Sequence, residues 1–231
     1  MIRFLRPFDP HRVRLLVFDL DGTLIDSRLD LIHSVNAMLR HIGRPELDGD
    51  LIASYVGDGA PALVLRALGG TDTDNEALFR TAMEYFLGYY RLHKLDHTTV
   101  YEGIPETLAS LAEPSDGRQR KMAVLTNKPV NASRDIVRAL GLGDFFVCVY
   151  GGNSFTTKKP DPLGARTILQ ETGVAAGEAL MIGDSSIDVL TGRNAGLWTC
   201  GVTYGFAPHS LEEVPPDVLI ESPRELGELL R

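Results

Sequence analysis

An α/β fold, a parallel sheet with helices on both faces and a small helical cap inserted after the first strand, is the architecture this sequence predicts. Three observations predict it. The run Leu15-Leu16-Val17-Phe18 is short, apolar and uninterrupted, as a strand buried on both faces should be. Residues 30 to 93 carry apolar side chains at helical spacing with no convincing strand among them. After Tyr101, strand-length apolar runs alternate with helical ones, the β-α-β rhythm of a parallel sheet.

The strand at 15 to 18 opens a Rossmann-like core. Leu31, Ile32, Val35, Met38, Leu39 and Ile42 then recur at helix spacing and stop at Gly43. Leu63, Val64, Ala67 and Leu68 repeat the pattern before Gly69-Gly70, and Leu78, Phe79, Ala82, Met83, Phe86, Leu87 and Tyr90 repeat it again. Short polar or glycine-rich joins connect these segments, as in a small antiparallel bundle. The cap is therefore expected over 27 to 99 and the core over 1 to 26 and 100 to 231, with joins near 24 to 28 and 96 to 103. Further core strands are expected at 122 to 125, 146 to 150, 180 to 182, 199 to 202 and 218 to 220. Helices are expected near 105 to 112, 131 to 140, 162 to 172, 186 to 195 and 223 to 230, and residues 113 to 121 read as a polar loop.

Size and composition narrow the function. With 231 residues and 44% hydrophobic composition the chain can bury a sizeable core. A formal net charge of -8 repels nucleic acid and anionic membranes at long range, so neither is an expected partner. Cys148 and Cys200 lie far apart in apolar runs and read as small core residues, with no disulfide or zinc pattern. Residues 1 to 14 hold no apolar stretch as long as a secretory leader, and nothing later approaches a membrane span. A cytoplasmic protein is expected, monomer or homodimer.

Ligands of open parallel sheets collect beyond the carboxyl ends of the strands, and here those positions are polar. Strand 15 to 18 delivers Asp19 and Asp21, and strand 122 to 125 delivers Thr126 and Asn127. Strand 180 to 182 delivers Gly183, Asp184, Ser185 and Ser186 with Asp188 a turn further on, while Lys158 and Lys159 precede the helix near Pro162. Each piece alone has a plainer reading as turn, cap or solvated loop. Together they gather acids, hydroxyls, an amide and lysine at one sheet edge.

Period two points Asp19 and Asp21 the same way, about 7 Å apart along the chain. Two like charges that close require either a cation between them or a proton on one of them. Phosphoryl transfer needs this set. A magnesium-type cation prefers oxygen ligands shared with phosphate and water, and Asp19, Asp184 and a backbone carbonyl near Asp21 could hold it. With Asp19 as nucleophile, the metal and Lys159 would make its approach to a phosphate dianion tolerable. Asp21 could then serve as acid toward the leaving oxygen and base for water, with Gly22 permitting the turn that carries it over the site. The Thr126 hydroxyl and nearby N–H groups would bind the remaining phosphate oxygens.

Asp19-Leu-Asp21-Gly-Thr23, Thr126-Asn127, Lys159-Pro160 and Gly183-Asp184-Ser185-Ser186-Ile187-Asp188, in that order, resemble the four motifs of the haloacid dehalogenase superfamily. The helical insertion resembles its small mobile cap. Within it the chain is most similar to bacterial phosphoglycolate phosphatases over nearly its whole length. Tyr55-Val-Gly-Asp-Gly59, Leu65-Arg66-Ala-Leu68, Leu125-Thr-Asn-Lys-Pro129, Gly151-Gly152, Lys158-Lys-Pro160 and Gly201-Val-Thr-Tyr-Gly205 carry that similarity. The resemblance implies a magnesium-dependent phosphatase acting on a small phosphorylated metabolite, 2-phosphoglycolate foremost, with a different or broad small substrate as the alternative. It implies Asp19 as the nucleophile that becomes an aspartyl phosphate and Asp21 as acid/base. Thr126, Asn127 and Lys159 become phosphate ligands; Asp19, Asp21 and Asp184 become metal ligands, with Asp188 supporting the metal from behind them. Gly57-Asp58-Gly59 resembles the cap loop that closes over the leaving group, with Arg66 a candidate beside it, although Asp58 is a poor neighbour for a substrate carboxylate.

Rival readings lack their residues. A dehalogenase on this fold needs neither Asp21 as leaving-group acid nor a metal site at Asp184. Related mutases place an arginine just after the cap loop, where Ala60 and Pro61 follow Gly59 here. A non-catalytic binding module would be expected to have lost Asp19 or Asp21. None of the six histidines falls in a ligand pattern, and Tyr204-Gly205-Phe206 reads as loop packing.

Overall fold

The structure, a computed structural model, describes residues 1–70, 76–113 and 119–231. In chain order its strands are β1 (Arg3–Phe4), β2 (Leu15–Phe18), β3 (Ile25–Asp26), β4 (Thr99–Val100), β5 (Lys121–Leu125), β6 (Cys148–Tyr150), β7 (Ala179–Gly183), β8 (Trp198–Val202) and β9 (Val218–Ile220). The helices are α1 (Arg28–His41), α2 (Gly49–Ser54), α3 (Ala60–Ala67), α4 (Glu76–His93), α5 (Ile104–Ala112), α6 (Val130–Ala139), α7 (Leu163–Thr172), α8 (Ser186–Ala195), α9 (Ser210–Glu213) and α10 (Pro223–Leu229).

The core sheet runs β1-β9-β8-β7-β2-β5-β6 and is parallel except for β1, which pairs antiparallel with β9. Strand β2 lies between β7 and β5, with Phe18 opposite Ile182 on one side and Val124 on the other. Alternation along the strands divides the apolar side chains between two faces. Leu16, Phe18, Val124 and Ile182 pack with Leu108 of α5, Ile136 of α6 and Leu226 of α10. Leu15, Val17, Leu125 and Met181 pack with Ile168 of α7 and Ala195 of α8. Both faces are buried, which is why no polar residue interrupts β2. Each fully buried Leu or Phe contributes roughly 1.5–3 kcal/mol.

The chain leaves the core at β3 and returns at β4, an antiparallel pair that sets Ile25 opposite Val100 and Asp26 opposite Thr99. Helices α1 to α4 lie between them and share an apolar core of their own, with Val35, Met38, Ile52, Val64 and Phe86 at its centre. Asp30, in the first turn of α1, ties the two crossings together. Its buried carboxylate accepts hydrogen bonds from the Thr98 N–H (2.9 Å), the Thr98 hydroxyl (2.7 Å) and the His97 N–H (3.0 Å).

Several elements depart from the sequence reading. The strand expected over 146 to 150 begins only at Cys148, because Phe146 closes the 3-10 turn Gly143–Phe145 with its N–H on the Gly143 carbonyl. Strand β1 and the β3–β4 pair are two residues each, too short for periodicity to register. Helix α2 has six residues and a single buried one, Ile52, and is started by Asp48, whose carboxylate accepts from the Asp50 N–H at 2.9 Å and the Leu51 N–H at 3.3 Å. Residues 114–118 of the expected polar loop, and the join at 71–75, lie outside the described residues. No helix among the described residues is long and apolar enough to cross a membrane. Both cysteines are free thiols, Cys200 buried and Cys148 half-buried.

Candidate active site

Because β7, β2 and β5 are neighbours, the loops leaving their carboxyl ends meet over one patch of the sheet edge. Asp19 is anchored there by its N–H on the Ile182 carbonyl (2.9 Å). It continues the alternation of Leu15 and Val17 toward the face covered by α7 and α8. On that face Lys159, just ahead of α7, and Asp188, in the first turn of α8, reach it. Lys159 Nζ stands 2.8 Å from Asp19 Oδ1 and 2.6 Å from Asp188 Oδ1, and all three side chains are buried. Burial alone would lower the lysine's pKa, but Asp188 and Asp19 hold it above its ordinary value, so it stays an ammonium. The other oxygen of Asp188 accepts from the Ser185 hydroxyl (2.7 Å) and N–H (3.2 Å), which fixes the start of α8.

Asp184 enters from the end of β7. Its Oδ2 accepts the N–H groups of Phe206 (2.6 Å) and Ala207 (3.1 Å), in the loop after β8. Burial, then the charges of Asp188 and Asp19, push its pKa up to about 8. Burial, opposed by Lys159 but reinforced by Asp188 and Asp21, pushes that of Asp19 to about 6. Gly22 has φ +80°, and a Cβ there would lie 2.3 Å from Asp184 Oδ2, so the turn after β2 needs glycine both for its backbone and for this approach.

Asp19, Asp184 and Asp188 bring carboxylate oxygens within 4.8 Å of one another. Asp19 Oδ1 is buried, with the Lys159 ammonium at 2.8 Å. A cluster of hard oxygens short of positive charge fits a magnesium-type cation. Asp19 and Asp184 are its candidate carboxylate ligands, since both oxygens of Asp188 are taken by Lys159 and Ser185.

Asp21 faces a different partner. Its carboxylate accepts the Ser27 hydroxyl at 2.5 Å and the Lys128 ammonium at 2.8 and 3.0 Å. Any contribution to a metal would therefore come from its carbonyl. Lys128 is buried, and burial again opposes its charge while Asp21 and Tyr90 raise its pKa. The sequence reading passed over this lysine, although its place directly after Thr126-Asn127 at the end of β5 put it on the same sheet edge.

Thr126 is buried, with its N–H on the Tyr150 carbonyl and its hydroxyl accepting the Lys128 N–H at 3.3 Å. The Asn127 amide donates to the carbonyls of Gly57 (3.0 Å) and Lys159 (3.1 Å), so its side chain fastens the cap loop to the core and its main-chain N–H is what it can offer a phosphate. Gly59 has φ +84°, and a Cβ on it would stand 2.7 Å from the Asn127 carbonyl oxygen. Gly57 and Gly59 border the cavity between cap and core. Asp58 and Arg66 do not: they form an ion pair with each other, and Arg66 also donates to the Tyr55 carbonyl at 2.8 Å. Lys158 is exposed and donates to the Asp58 carbonyl. Phe206 was read as loop packing; its main-chain contact with Asp184 has no side-chain signature in the sequence.

Residues 16–202 match the model of the haloacid dehalogenase-like hydrolases. The chain is 38% identical over 223 residues to the phosphoglycolate phosphatase of Chromobacterium violaceum, covering 95% of this chain and 97% of that one. It is 36% identical over 223 residues to the phosphoglycolate phosphatase of Vibrio vulnificus, covering 93% and 94%. The crystal structure of a predicted phosphoglycolate phosphatase from Haemophilus somnus superposes with a TM-score of 0.88 at 28% identity, covering 95% of this chain and 99% of that one. The chain belongs to the haloacid dehalogenase-like hydrolase family. Within that family it is one of the phosphatases.

Proposed function

We propose that the chain is a cytoplasmic, magnesium-dependent phosphatase that hydrolyses 2-phosphoglycolate, through a covalent intermediate on Asp19. The observation that carries this reading is the buried Asp19 carboxylate, ion-paired with Lys159 and gathered with those of Asp184 and Asp188. The names of its relatives support the substrate. Asp19 attacks phosphorus as the bond to the leaving oxygen breaks, and Asp21 is the general acid that delivers a proton to that oxygen. Asp21 then takes a proton from the water that attacks the aspartyl phosphate, releasing phosphate and restoring both aspartates. Lys159, the Thr126 hydroxyl and the Asn127 N–H hold the phosphate oxygens. Ser27 and Lys128 hold the Asp21 carboxylate in place. When bound, magnesium supplies the positive charge that lets Asp19 and Asp184 both stay ionised beside a phosphate dianion. The docked loop of Gly57 and Gly59 shields the site from water.

The alternative, another small phosphomonoester or several, draws on the cap, where Asp58 and Arg66 bind each other rather than border the cavity. Steady-state phosphate release with magnesium, from a panel of small phosphomonoesters, separates the two. The proposal expects kcat/KM for 2-phosphoglycolate at least about tenfold above the rest, about 1.4 kcal/mol in transition-state binding, and no release by Asp19→Asn. A flat profile would favour the alternative, and a fully active Asp19→Asn protein would refute the covalent route.

A further inference from the structure

The cap side of the cavity is apolar. Leu31, Val56, Leu63 and Phe86 form its wall, and among the described residues no lysine, arginine or histidine of the cap borders it. Tyr90, on α4, breaks the pattern. Its side chain is 4% exposed, and its buried hydroxyl has no well-aligned hydrogen bond; the Lys128 ammonium within its reach can only donate, so the hydroxyl's own proton has no acceptor. A native interior seldom leaves such a donor unused without a reason. Burial, with Lys128 opposing, raises its pKa to about 12, so at neutral pH it is a donor. Directly beside it lies Lys128, whose Nζ stands 4.8 Å from the centre of the Tyr90 ring and which also borders the cavity.

On the core side, Lys159, the Thr126 hydroxyl and the Asn127 N–H serve the phosphate in the reaction proposed above, while the Asn127 amide and Ser185 serve neighbouring groups. Among the described residues Tyr90 is the polar side chain that the cap presents to the cavity, and Lys128, although paired with Asp21, has three N–H donors and lies against the Tyr90 ring. Lys128 also sits within 3.0 Å of the Asp21 carboxylate, the group that protonates the leaving oxygen in the reaction proposed above. An anion held by Lys128 must then lie only a few bonds from the ester oxygen.

We infer that the Tyr90 hydroxyl and the Lys128 ammonium together anchor a carboxylate on the leaving group, and that the apolar wall around them rejects leaving groups rich in hydroxyls. The substrate class that fits is a short phosphorylated hydroxy acid. This assignment rests on the phosphatase reading and adds to it the residues that choose the leaving group. Sugar phosphates would have to surrender hydroxyl hydration to Leu31, Val56 and Phe86 without compensation.

The test compares the full-length protein with Tyr90→Phe, which keeps the ring and removes only the hydroxyl, on 2-phosphoglycolate and on ethyl phosphate, a near-isosteric ester without the carboxylate. Tyr90→Phe should lose at least about tenfold in kcat/KM on 2-phosphoglycolate, mostly through KM, and no more than about twofold on ethyl phosphate. Equal losses on both substrates, or none on either, would overturn the anchor. Calorimetry on the Asp19→Asn background keeps the question open to measurement even without turnover. There Tyr90→Phe should weaken 2-phosphoglycolate by at least about tenfold and inorganic phosphate by less than about twofold. Failure of all turnover would sink the proposed function, whereas equal affinities in this binding experiment would sink the anchor.

Discussion

Lowering the pH should stabilise the metal-free protein, and Asp184→Asn should abolish much of that effect. The folded-state pKa of Asp184 is raised from 3.8 to about 8 by burial and by Asp188 and Asp19. The native state therefore binds this proton more tightly than the unfolded chain does. The resulting stability is fully present below pH 3.8 and is lost as the pH rises through about 8. Across the middle of that window the native protein holds about one extra proton, and stability falls by about 1.4 kcal/mol per pH unit. Between pH 5 and pH 7 the loss is about 2.7 kcal/mol, a large share of a typical 5–15 kcal/mol total. Asp19, raised to about 6, adds to the fall at the acid end of the range. Magnesium at about 100 times its dissociation constant should return about 2.7 kcal/mol at pH 7. The assay is equilibrium urea unfolding at several pH values between 5 and 8, with chelator and with magnesium. The difference between native and Asp184→Asn curves isolates this carboxylate from the histidines and other acids. Parallel curves, or equal stabilisation of both proteins by magnesium, would refute the charge argument behind the metal site.

Two further perturbations probe how the cap is held. Asp30→Ala leaves the Thr98 hydroxyl and the N–H groups of Thr98 and His97 without their acceptor, and should cost roughly 3 kcal/mol or more in urea unfolding; a loss under about 1 kcal/mol would mean that other contacts hold the crossing. Gly59→Ala forces a side chain onto a positive-φ, extended backbone that is essentially glycine's alone, costing about 1–3 kcal/mol, and drives a Cβ toward the Asn127 carbonyl. It should raise KM for the phosphomonoester several-fold, and an unchanged KM would show that the loop need not dock there to bind substrate.

The parallel sheet is legible in the sequence because β2, β5 and β7 are buried on both faces and read as unbroken apolar runs. The cap helices are legible where one face is apolar for several turns, as in α1 and α4. Where an element draws its stability from a partner rather than from its own pattern, the sequence is silent. Strand β1 exists through two residues of pairing with β9, and α2 through one buried isoleucine and an aspartate cap. The same limit applies at the site. Strand ends can be read, so Asp19, Thr126 and Asp184 can be placed at one edge, but pairings across the sheet cannot. Lys158 and Lys159 are adjacent and chemically identical, yet one is exposed on the cap loop and the other is buried between two carboxylates. The Lys159-Pro160 motif singles out the second, but the local apolar and charge pattern does not. Nor does it assign Lys128 to Asp21, or main-chain donors of the Phe206 loop to Asp184.

The charge of the site follows once those pairings are known. Asp19 and Asp21 tolerate a separation of one residue because each has its own ammonium, Lys159 for the first and Lys128 for the second. Asp188 shares Lys159, and Asp184 has only backbone N–H donors. Among these described side chains four carboxylates therefore face two ammonium groups, and the fully ionised cluster carries a deficit of two positive charges. A divalent cation cancels that deficit, whereas a monovalent one leaves a buried charge uncompensated. In its absence protons must substitute, the first on Asp184, which has no lysine, and the second on Asp19. The raised pKa of Asp184, the fit of the site to a hard divalent ion and the spacing of the first two aspartates thus share one electrostatic origin.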